Sequence, residues 1–337
     1  MRISIDNVSF IPKYRQIINS VIKELEEGNL EVGQQIPSIN EISERYYLSR
    51  DTVEKAYTEL KSRGIVSSVK GKGYYIQSTE TGNNLRIFLC FNKISTYKKT
   101  VYNAFIKTIG ENAKVDLFIH HNNFTLFKNH VKEHVKDYNY FVIIPPLNAS
   151  NQDIARVLYK IPAGRLLLLD KEIHESPSLE YSSVYQDFRQ DIYQAMHSGA
   201  DLLEKYHELI MVFPSQGDYS KDVVVGFKSF CNEHHRLNRI VDTVEDELVV
   251  KGKAFIVVEE EDLVKIIKTC QAQDLVLGLD VGILSYNDTP MKEILANGIT
   301  VMSTDFEKMG TTAAQFILDK TVSNFHNPFH LIRRQSL

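Results

Sequence analysis

The sequence has 337 residues, of which 43% are hydrophobic and 24% charged, and its formal net charge is -4. This composition is typical of a globular protein with two or three domains, and it excludes a disordered chain and a strongly basic protein that coats nucleic acid. No apolar run reaches the roughly 18 residues of a membrane span, and the first residues lack a secretory signal pattern, so we expect a cytoplasmic protein.

The first part of the chain, residues 1–76, predicts three helices and a hairpin. The first helix starts after Pro12, whose missing N–H costs nothing in a first helical turn, and ends before Gly28. Ser38, with an acidic residue three positions later, has the pattern of a capping box and predicts the start of a second helix. Ser49 predicts the N-cap of a third helix.

A hairpin is predicted to follow the third helix. Two β-prone runs, residues 65–69 and 74–76, flank the tip Lys70-Gly71-Lys72-Gly73. Two helices joined by a tight turn and followed by a hairpin describe a winged helix-turn-helix, whose third helix can enter the major groove of DNA.

This layout predicts DNA contacts at the start of the third helix and on the hairpin tip. Arg50 is the first choice for base readout, because a guanidinium can reach O6 and N7 of guanine together. The polar and basic neighbours suit phosphates. The full predicted set is Ser38, Asn40, Ser49, Arg50, Thr52, Lys55, Lys70, Gly71, Lys72 and Gly73. The alternative is a solvated surface, since residues 1–80 carry eleven basic and eleven acidic side chains.

The rest of the chain predicts an α/β domain. Residues 77–84 have no apolar side chain, so they are predicted to be a linker to a domain over residues 85–337. Continuous apolar runs alternate with helical stretches in that domain, which is typical of buried parallel strands. The predicted strands are residues 86–91, 115–119, 140–144, 165–169, 209–213, 253–258, 275–278 and 282–286. Two such sets suggest two lobes with a cleft between them, at the carboxyl ends of the strands.

The first part of the chain also carries five motifs that occur together in one known family. They are residues 12–17, 33–42, 48–57, 60–64 and 71–73. Their order and spacing resemble those of the GntR family of bacterial transcription regulators. The resemblance implies DNA contact by Arg50, Thr52 and the glycines of the hairpin tip. One position departs from the family, because Asn40 stands where the family often has a DNA-contacting arginine.

A second resemblance covers most of residues 85–325. It is carried by residues 166–171, 186–187, 226–227, 258–260, 285–290 and 309–310. These look like the sensor domain of the LacI family, which itself resembles periplasmic sugar-binding proteins. A GntR-type head followed by a LacI-type sensor is the arrangement of arabinose-repressor-like regulators. The implied fold class is α/β, with a winged helix-turn-helix and a two-lobed sensor.

The resemblance to the LacI sensor also implies an effector site. Asp170 matches the aspartate after the fourth strand, and Asn287 takes the place of a common sugar-binding aspartate. Val223 stands where the family has an arginine, so Tyr219, Lys221 or Asp222 is expected to substitute for it. The full expected set is Lys93, Tyr97, Asp170, Gln186, Tyr219, Lys221, Asp222, Glu259 and Asn287. The expected effector is a monosaccharide, with a pentose or deoxyhexose as the first guess.

An enzyme with an incidental winged helix is the rival interpretation. Residues 130–134 match the zinc-peptidase pattern H-x-x-E-H without an evident third ligand, and His120-His121 and His234-His235 are expected to be solvated. The three cysteines are far apart and lack zinc-binding spacing. No G-x-S-x-G or Walker A sequence occurs. We therefore expect a homodimeric repressor that binds operator DNA, with no catalytic residue, no cofactor, no metal and no membrane partner.

Overall fold

A computed structural model describes residues 3–6, 9, 11–79, 85–110, 113–173, 179–217 and 219–337. The chain divides into two compact units, Met1–Asn84 and Leu85–Leu337. Residues 80–84 of the predicted linker lie outside the described residues. Within the described part, no helix is both long and apolar enough to cross a bilayer.

The first unit is a small helical domain with a hairpin. Its elements are α1 (Lys13–Glu26), β1 (Gln35–Ile36), α2 (Ile39–Tyr46), α3 (Arg50–Ser62), β2 (Val66–Val69) and β3 (Gly73–Ile76). Strand β3 is central and pairs antiparallel with both β1 and β2. The capping box at Ser38 and the N-cap at Ser49 are both present. Apolar residues of the three helices form one core, and the predicted winged helix-turn-helix is confirmed.

The second unit alternates strands and helices along the chain. In chain order it contains β4 (Leu85–Phe91), α4 (Thr96–Ile109), β5 (Ala113–Ile119), α5 (Phe124–His134), β6 (Tyr140–Ile143), α6 (Asn151–Leu158), β7 (Leu166–Asp170), β8 (Ser182–Tyr185), α7 (Phe188–Ser198), α8 (Ala200–Leu203), β9 (Glu208–Val212), α9 (Asp222–Glu233), β10 (Leu237–Val241), β11 (Lys253–Val257), α10 (Glu260–Ala272), β12 (Val281–Tyr286), α11 (Pro290–Ile294), β13 (Thr300–Thr304), α12 (Phe306–Leu318), β14 (Asn324–His326) and β15 (Phe329–Ile332).

Two six-stranded sheets divide this unit into two lobes. The first lobe has the strand order β14-β8-β7-β6-β4-β5, and all its pairs are parallel. The second has the order β10-β9-β11-β12-β13-β15, which is parallel except for the last pair. Apolar side chains of the flanking helices cover the sheets, as buried parallel sheets require. The predicted α/β class with two lobes is confirmed.

The chain crosses between the lobes three times, after β8, after β13 and between β14 and β15. The crossing segments are hydrogen-bonded to one another. The Asn327 side-chain amide donates to the Thr304 hydroxyl at 2.8 Å and to the Asp305 carbonyl at 2.9 Å. The Asp305 amide donates to the Pro328 carbonyl at 2.9 Å, and the Asn327 amide to the Tyr185 carbonyl at 2.8 Å. These bonds join the three crossings into one hinge.

Three expectations about this unit are wrong in detail. Residues 275–278 form a turn with a single bridge from Leu277 to Val281, because Gly278 takes a positive φ of 79° that a strand cannot contain. The sequence predicts one helix around residues 191–205, and the structure divides it at Gly199 into α7 and α8. His120 is buried rather than solvated, and its Nε2 lies 2.9 Å from the Ile144 carbonyl oxygen.

Candidate nucleic-acid interface and effector cleft

The start of α3 is exposed and well capped. The Ser49 Oγ accepts a hydrogen bond from the Thr52 amide at 3.3 Å and lies 2.7 Å from the Thr52 hydroxyl. Arg50 follows the cap as the first helical residue, and its side chain is exposed. Since the amides at a helix N-terminus favour anions, this end of α3 combines a positive dipole with a guanidinium.

Two neighbouring residues that are predicted to contact DNA, Lys55 and Ser38, also interact with other side chains of the first unit. The Lys55 Nζ lies 4.3 Å from the centre of the Tyr14 ring, a cation–π contact that joins α3 to α1. The Ser38 amide donates to Glu41 at 2.6 Å, and these bonds from Ser38 lower the Glu41 pKa. Ser38 therefore positions the start of α2, and the exposed Asn40 follows it.

The hairpin tip exposes both lysines. Gly71 and Gly73 have φ values of 76° and 107°, which favour glycine. A Cβ on Gly73 would lie 2.9 Å from the Gln35 side-chain nitrogen, which donates to the Lys72 carbonyl at 2.8 Å. The backbone is thus fixed while the side chains of Lys70 and Lys72 face solvent.

One exposed aromatic residue beside these predicted contacts in the sequence was not among them. Tyr47 lies between α2 and α3, is 96% exposed and has a φ of 53°. An aromatic residue in a turn position that favours glycine or asparagine was the available signal.

A small cavity of about 40 Å³ lies between the two lobes of the second unit. The first lobe and the hinge contribute mostly polar and basic groups, and the second lobe contributes aromatic and amide groups. The lining residues are Asn92, Lys93, Tyr97, Lys98, Ile144, Pro145, Leu147, Asp170, Lys171, Gln186, Phe188, Tyr219, Ser220, Tyr286, Asn287 and Phe306.

Asp170 is at the centre of a buried ion pair in this cavity. It ends β7 in the left-handed region, with a φ of 71°, and so directs its carboxylate away from the regular strand. The Lys98 ammonium contacts one carboxylate oxygen, and the Gln186 amide donates to the other at 2.5 Å. Lys98 is only 3% exposed. Both carboxylate oxygens of Asp170, the residue expected to bind the sugar, therefore already accept hydrogen bonds from the protein.

Three buried amide oxygens in the cavity lining lack a hydrogen bond. They belong to Asn92, Gln186 and Asn287, and no described residue donates to them. An unsatisfied buried acceptor costs about 1–3 kcal/mol. The lining can therefore accept several hydrogen bonds from a bound molecule.

A second cavity of about 340 Å³ opens beside the first and is more acidic. Its lining is Lys93, Ser95, Thr96, Tyr97, Tyr219, Val258, Glu259, Glu260, Glu261, Tyr286, Asn287, Thr289 and Lys292. Tyr219 donates to the Val258 carbonyl at 3.1 Å, and burial raises its pKa. The buried Lys292 donates to the carbonyls of Tyr286 and Asn287, and burial lowers its pKa to about 8.

The structure brings most of the expected effector residues together. Seven of the nine line one or both cavities, namely Lys93, Tyr97, Asp170, Gln186, Tyr219, Glu259 and Asn287. Lys221 and Asp222 line neither, and Asp222 instead accepts a hydrogen bond from Ser220 at 3.1 Å. Sequence reasoning missed Asn92, Lys98 and Tyr286. The sequence did contain a signal that Lys98 is buried, since a lysine three residues before Val101 falls on the apolar face of α4.

Two family models match the chain. One, described as bacterial regulatory proteins of the gntR family, matches residues 13–76, and the other, a periplasmic binding protein-like domain, matches residues 201–337. The chain joins a GntR-type helix-turn-helix domain to a periplasmic-binding-protein-like domain.

Two repressors are similar to part of this chain. The HTH-type transcriptional repressor STM4068 of Salmonella typhimurium is 35% identical over 78 residues, which are 23% of this chain and 32% of that protein. The HTH-type transcriptional repressor YtrA of Bacillus subtilis is 36% identical over 74 residues, which are 22% of this chain and 57% of that protein. The chain thus spans less than two thirds of either relative.

Solved structures resemble the periplasmic-binding-protein-like domain. The dimeric Lac repressor with an 11-residue C-terminal deletion has a TM-score of 0.62 and 15% identity, over 75% of this chain and 98% of that chain. A LacI family transcriptional regulator from Enterococcus faecalis with bound ribose has a TM-score of 0.59 and 17% identity, over 74% of this chain and 98% of that chain. At these identities, the likeness establishes the fold.

Proposed function

We propose that this protein is a cytoplasmic, homodimeric transcriptional repressor, and that a monosaccharide bound between the lobes controls its affinity for operator DNA. The observation that carries the proposal is the set of unpartnered amide oxygens of Asn92, Gln186 and Asn287 in the inner cavity. Hydroxyl groups of a sugar are donors that would satisfy these acceptors. The ring of Tyr97, stacked on Phe306 at 5.0 Å, would supply an apolar surface beside them.

Asp170 has an indirect role in this proposal. Because Lys98 and Gln186 already engage its oxygens, the carboxylate holds the Gln186 side chain so that the Gln186 amide oxygen accepts from the ligand. Asp170 is then a positioning residue as much as a ligand. The pentose class is supported by the Enterococcus faecalis regulator, whose structure contains ribose.

The DNA side of the proposal rests on the exposed start of α3 and the wing. Arg50 would read a base, and Lys70 and Lys72 would contact phosphates or the minor groove. The two repressors among the relatives support this assignment. We propose a DNA-binding regulator rather than an enzyme, because the amino-terminal unit has a winged helix-turn-helix fold and the inner cavity offers amide acceptors that suit a bound sugar.

Control of DNA binding would follow from the size of the inner cavity. Its 40 Å³ is far below the roughly 300–1,000 Å³ of ligand pockets, so the lobes would have to move about the hinge for a sugar to reach the amide oxygens of the inner cavity. A ligand that binds one lobe arrangement better shifts the population toward it. In a dimer, that shift would change the spacing of the two DNA-binding heads, with a coupling of about 1–3 kcal/mol.

A thermal-shift screen of neutral monosaccharides on the full chain tests the proposal. At least one pentose or deoxyhexose is expected to raise the unfolding midpoint and to change affinity for a DNA site selected from a random pool. Asn92→Ala is expected to abolish the sugar-induced shift, whereas Asn232→Ala, on the exposed face of α9, should retain it. A screen in which no sugar stabilises the wild-type chain would refute a monosaccharide effector. A stabilising sugar without any change in DNA affinity would refute the control.

A further inference from the structure

The C-terminal ends of α7 and α9 bring together three metal-ligating side chains on the second lobe. One ligand atom from each of His197, Glu233 and His234 lies within 4.8 Å of the others. His197 is in the last turn of α7, Glu233 is the last residue of α9, and His234 is the C-cap that follows. This cluster is separate from the effector cavities, whose linings contain none of the three.

The two imidazoles have the spacing of a tetrahedral metal site. The His197 Nδ1 and His234 Nε2 face each other at 3.2 Å. With a Zn–N bond of about 2.0–2.1 Å, two nitrogens at a tetrahedral angle lie about 3.3 Å apart. The observed separation of 3.2 Å therefore matches that of two imidazole ligands of one zinc ion, once the rings have turned their lone pairs toward it. A carboxylate oxygen of Glu233 already lies within 4.8 Å of the ligand atoms of both histidines, so a small shift of this exposed side chain brings it to the same ion.

Groups around the cluster orient its ligands. The Tyr193 hydroxyl donates to Glu233 at 2.7 Å, which fixes one carboxylate oxygen. The His234 ring stacks on Phe230 at 4.3 Å, and the His197 ring lies parallel to Tyr193 at 6.0 Å. Hydrogen bonds to metal-bound carboxylates commonly set ligand geometry in this way. The site thus has positioned side chains as well as suitable donor atoms.

Electrostatics favour a cation at the same point. A helix C-terminus carries a partial negative charge, and here the ends of α7 and α9 converge. Two neutral imidazoles and one carboxylate form a donor set that suits a zinc ion with an open fourth position for water.

We propose that His197, Glu233 and His234 form a binding site for Zn²⁺ that joins α7 to α9. The site would hold one zinc ion per chain and would join the C-terminal ends of these two helices. It departs from the sequence-based expectation that the chain binds no metal.

Titration calorimetry of ZnCl₂ into the metal-free, tag-free full chain tests the site. We expect saturable binding of one ion per chain, a higher unfolding midpoint with zinc, and a visible absorption band typical of tetrahedral Co²⁺ when cobalt is substituted. His197→Ala and Glu233→Gln are each expected to weaken zinc binding by at least about 100-fold, and Tyr193→Phe by about 10-fold, as for other residues that orient metal ligands.

The matched control is His235→Asn. It removes a neighbouring exposed imidazole at a positive φ of 51°, a conformation that asparagine tolerates, and should bind zinc as the wild type does. The unfolding midpoints of the variants at His197, Glu233 and His235 without zinc should agree with the wild type, because these three side chains are exposed. Tyr193→Phe keeps the half-buried ring and should shift the midpoint little. Binding that survives His197→Ala, or a wild-type chain that shows no saturable binding, would overturn the proposal.

Discussion

Asp170 illustrates how a residue's role depends on a partner far along the chain. Its place after a buried strand predicted a polar side chain in the cleft, and the structure places it there. Its ion pair with Lys98 joins residues 72 positions apart. A short sequence pattern cannot predict a pair at this separation. A buried pair is sensitive to the loss of one partner, since the remaining charge is left without compensation.

Lys98→Met is therefore expected to lower the free energy of unfolding by about 3 kcal/mol, and Lys98→Met with Asp170→Asn by clearly less. The double variant removes both charges and retains an amide beside Gln186. Urea unfolding of the wild type, both single variants and the double variant measures the coupling. Additive losses would show that the two side chains do not interact.

Arg50→Ala is expected to cost roughly 1–3 kcal/mol of specific DNA binding, because a bidentate contact to guanine is lost. Lys72→Ala is the comparison, since a phosphate contact weakens binding to every sequence and lowers the salt dependence by about one counterion. Gel-shift titrations at several salt concentrations distinguish the two effects. Equal losses on specific and random DNA for Arg50→Ala would exclude base readout.

At the scale of elements, two glycines determine how helices cross. A Cβ on Gly310 would lie 2.3 Å from the Val101 carbonyl oxygen, where α12 crosses α4. A Cβ on Gly226 would lie 2.4 Å from the Arg189 carbonyl oxygen, where α9 crosses α7. Both glycines belong to the motifs that resemble the LacI sensor, and the backbone contact supplies the physical reason for them.

Gly310→Ala is expected to destabilise the protein by about 1–3 kcal/mol through overpacking. This sign opposes the gain of nearly 1 kcal/mol that alanine brings to an unconstrained helix position. Gln315→Ala, on the exposed face of α12, should change stability by less than about 0.5 kcal/mol. Chemical unfolding of both variants is the measurement, and a stabilised Gly310→Ala would contradict the close crossing.

Elements with a local signal were predictable from the sequence, and others were not. The caps of α2 and α3 and the apolar runs of β4, β6 and β7 are visible in short windows. Strand β13 is fully buried, but the sequence Thr-Val-Met-Ser-Thr has no continuous apolar character. Its Thr300 hydroxyl donates to the Arg334 carbonyl at 3.1 Å, and its Thr304 hydroxyl to the Pro328 carbonyl at 3.2 Å. These hydrogen bonds satisfy the threonine hydroxyls, so the strand can be buried although its sequence is polar.

At the scale of the whole molecule, a contact between a histidine and a buried carboxyl group links the lobes near the hinge. The His326 Nε2 on β14 lies 2.8 Å from Asp191 on α7. Burial raises the pKa of Asp191 to about 6, although His326 opposes the shift. The folded state then binds this proton more tightly than the unfolded state does, so the stabilising effect of protonation is lost as pH rises from about 4 to 6.

Asp191→Asn is expected to remove this pH dependence while keeping an acceptor for His326. Over the same range, the wild type should lose stability relative to the variant, by at most about 1.4 kcal/mol per pH unit. Unfolding free energies at several pH values give the comparison. A wild-type stability that rises relative to Asp191→Asn between pH 4 and 6 would show that the carboxylate is favoured in the folded state.

The three crossings of the hinge also determine the order in which the molecule can be completed on the ribosome. The first lobe needs α12 and β14, which come from residues 306–326, for its core and for the edge of its sheet. The core of the amino-terminal unit, by contrast, lies within residues 3–76. The amino-terminal unit can therefore fold before residues 85–337 are synthesised, whereas the first lobe is incomplete until residues 306–326 have emerged.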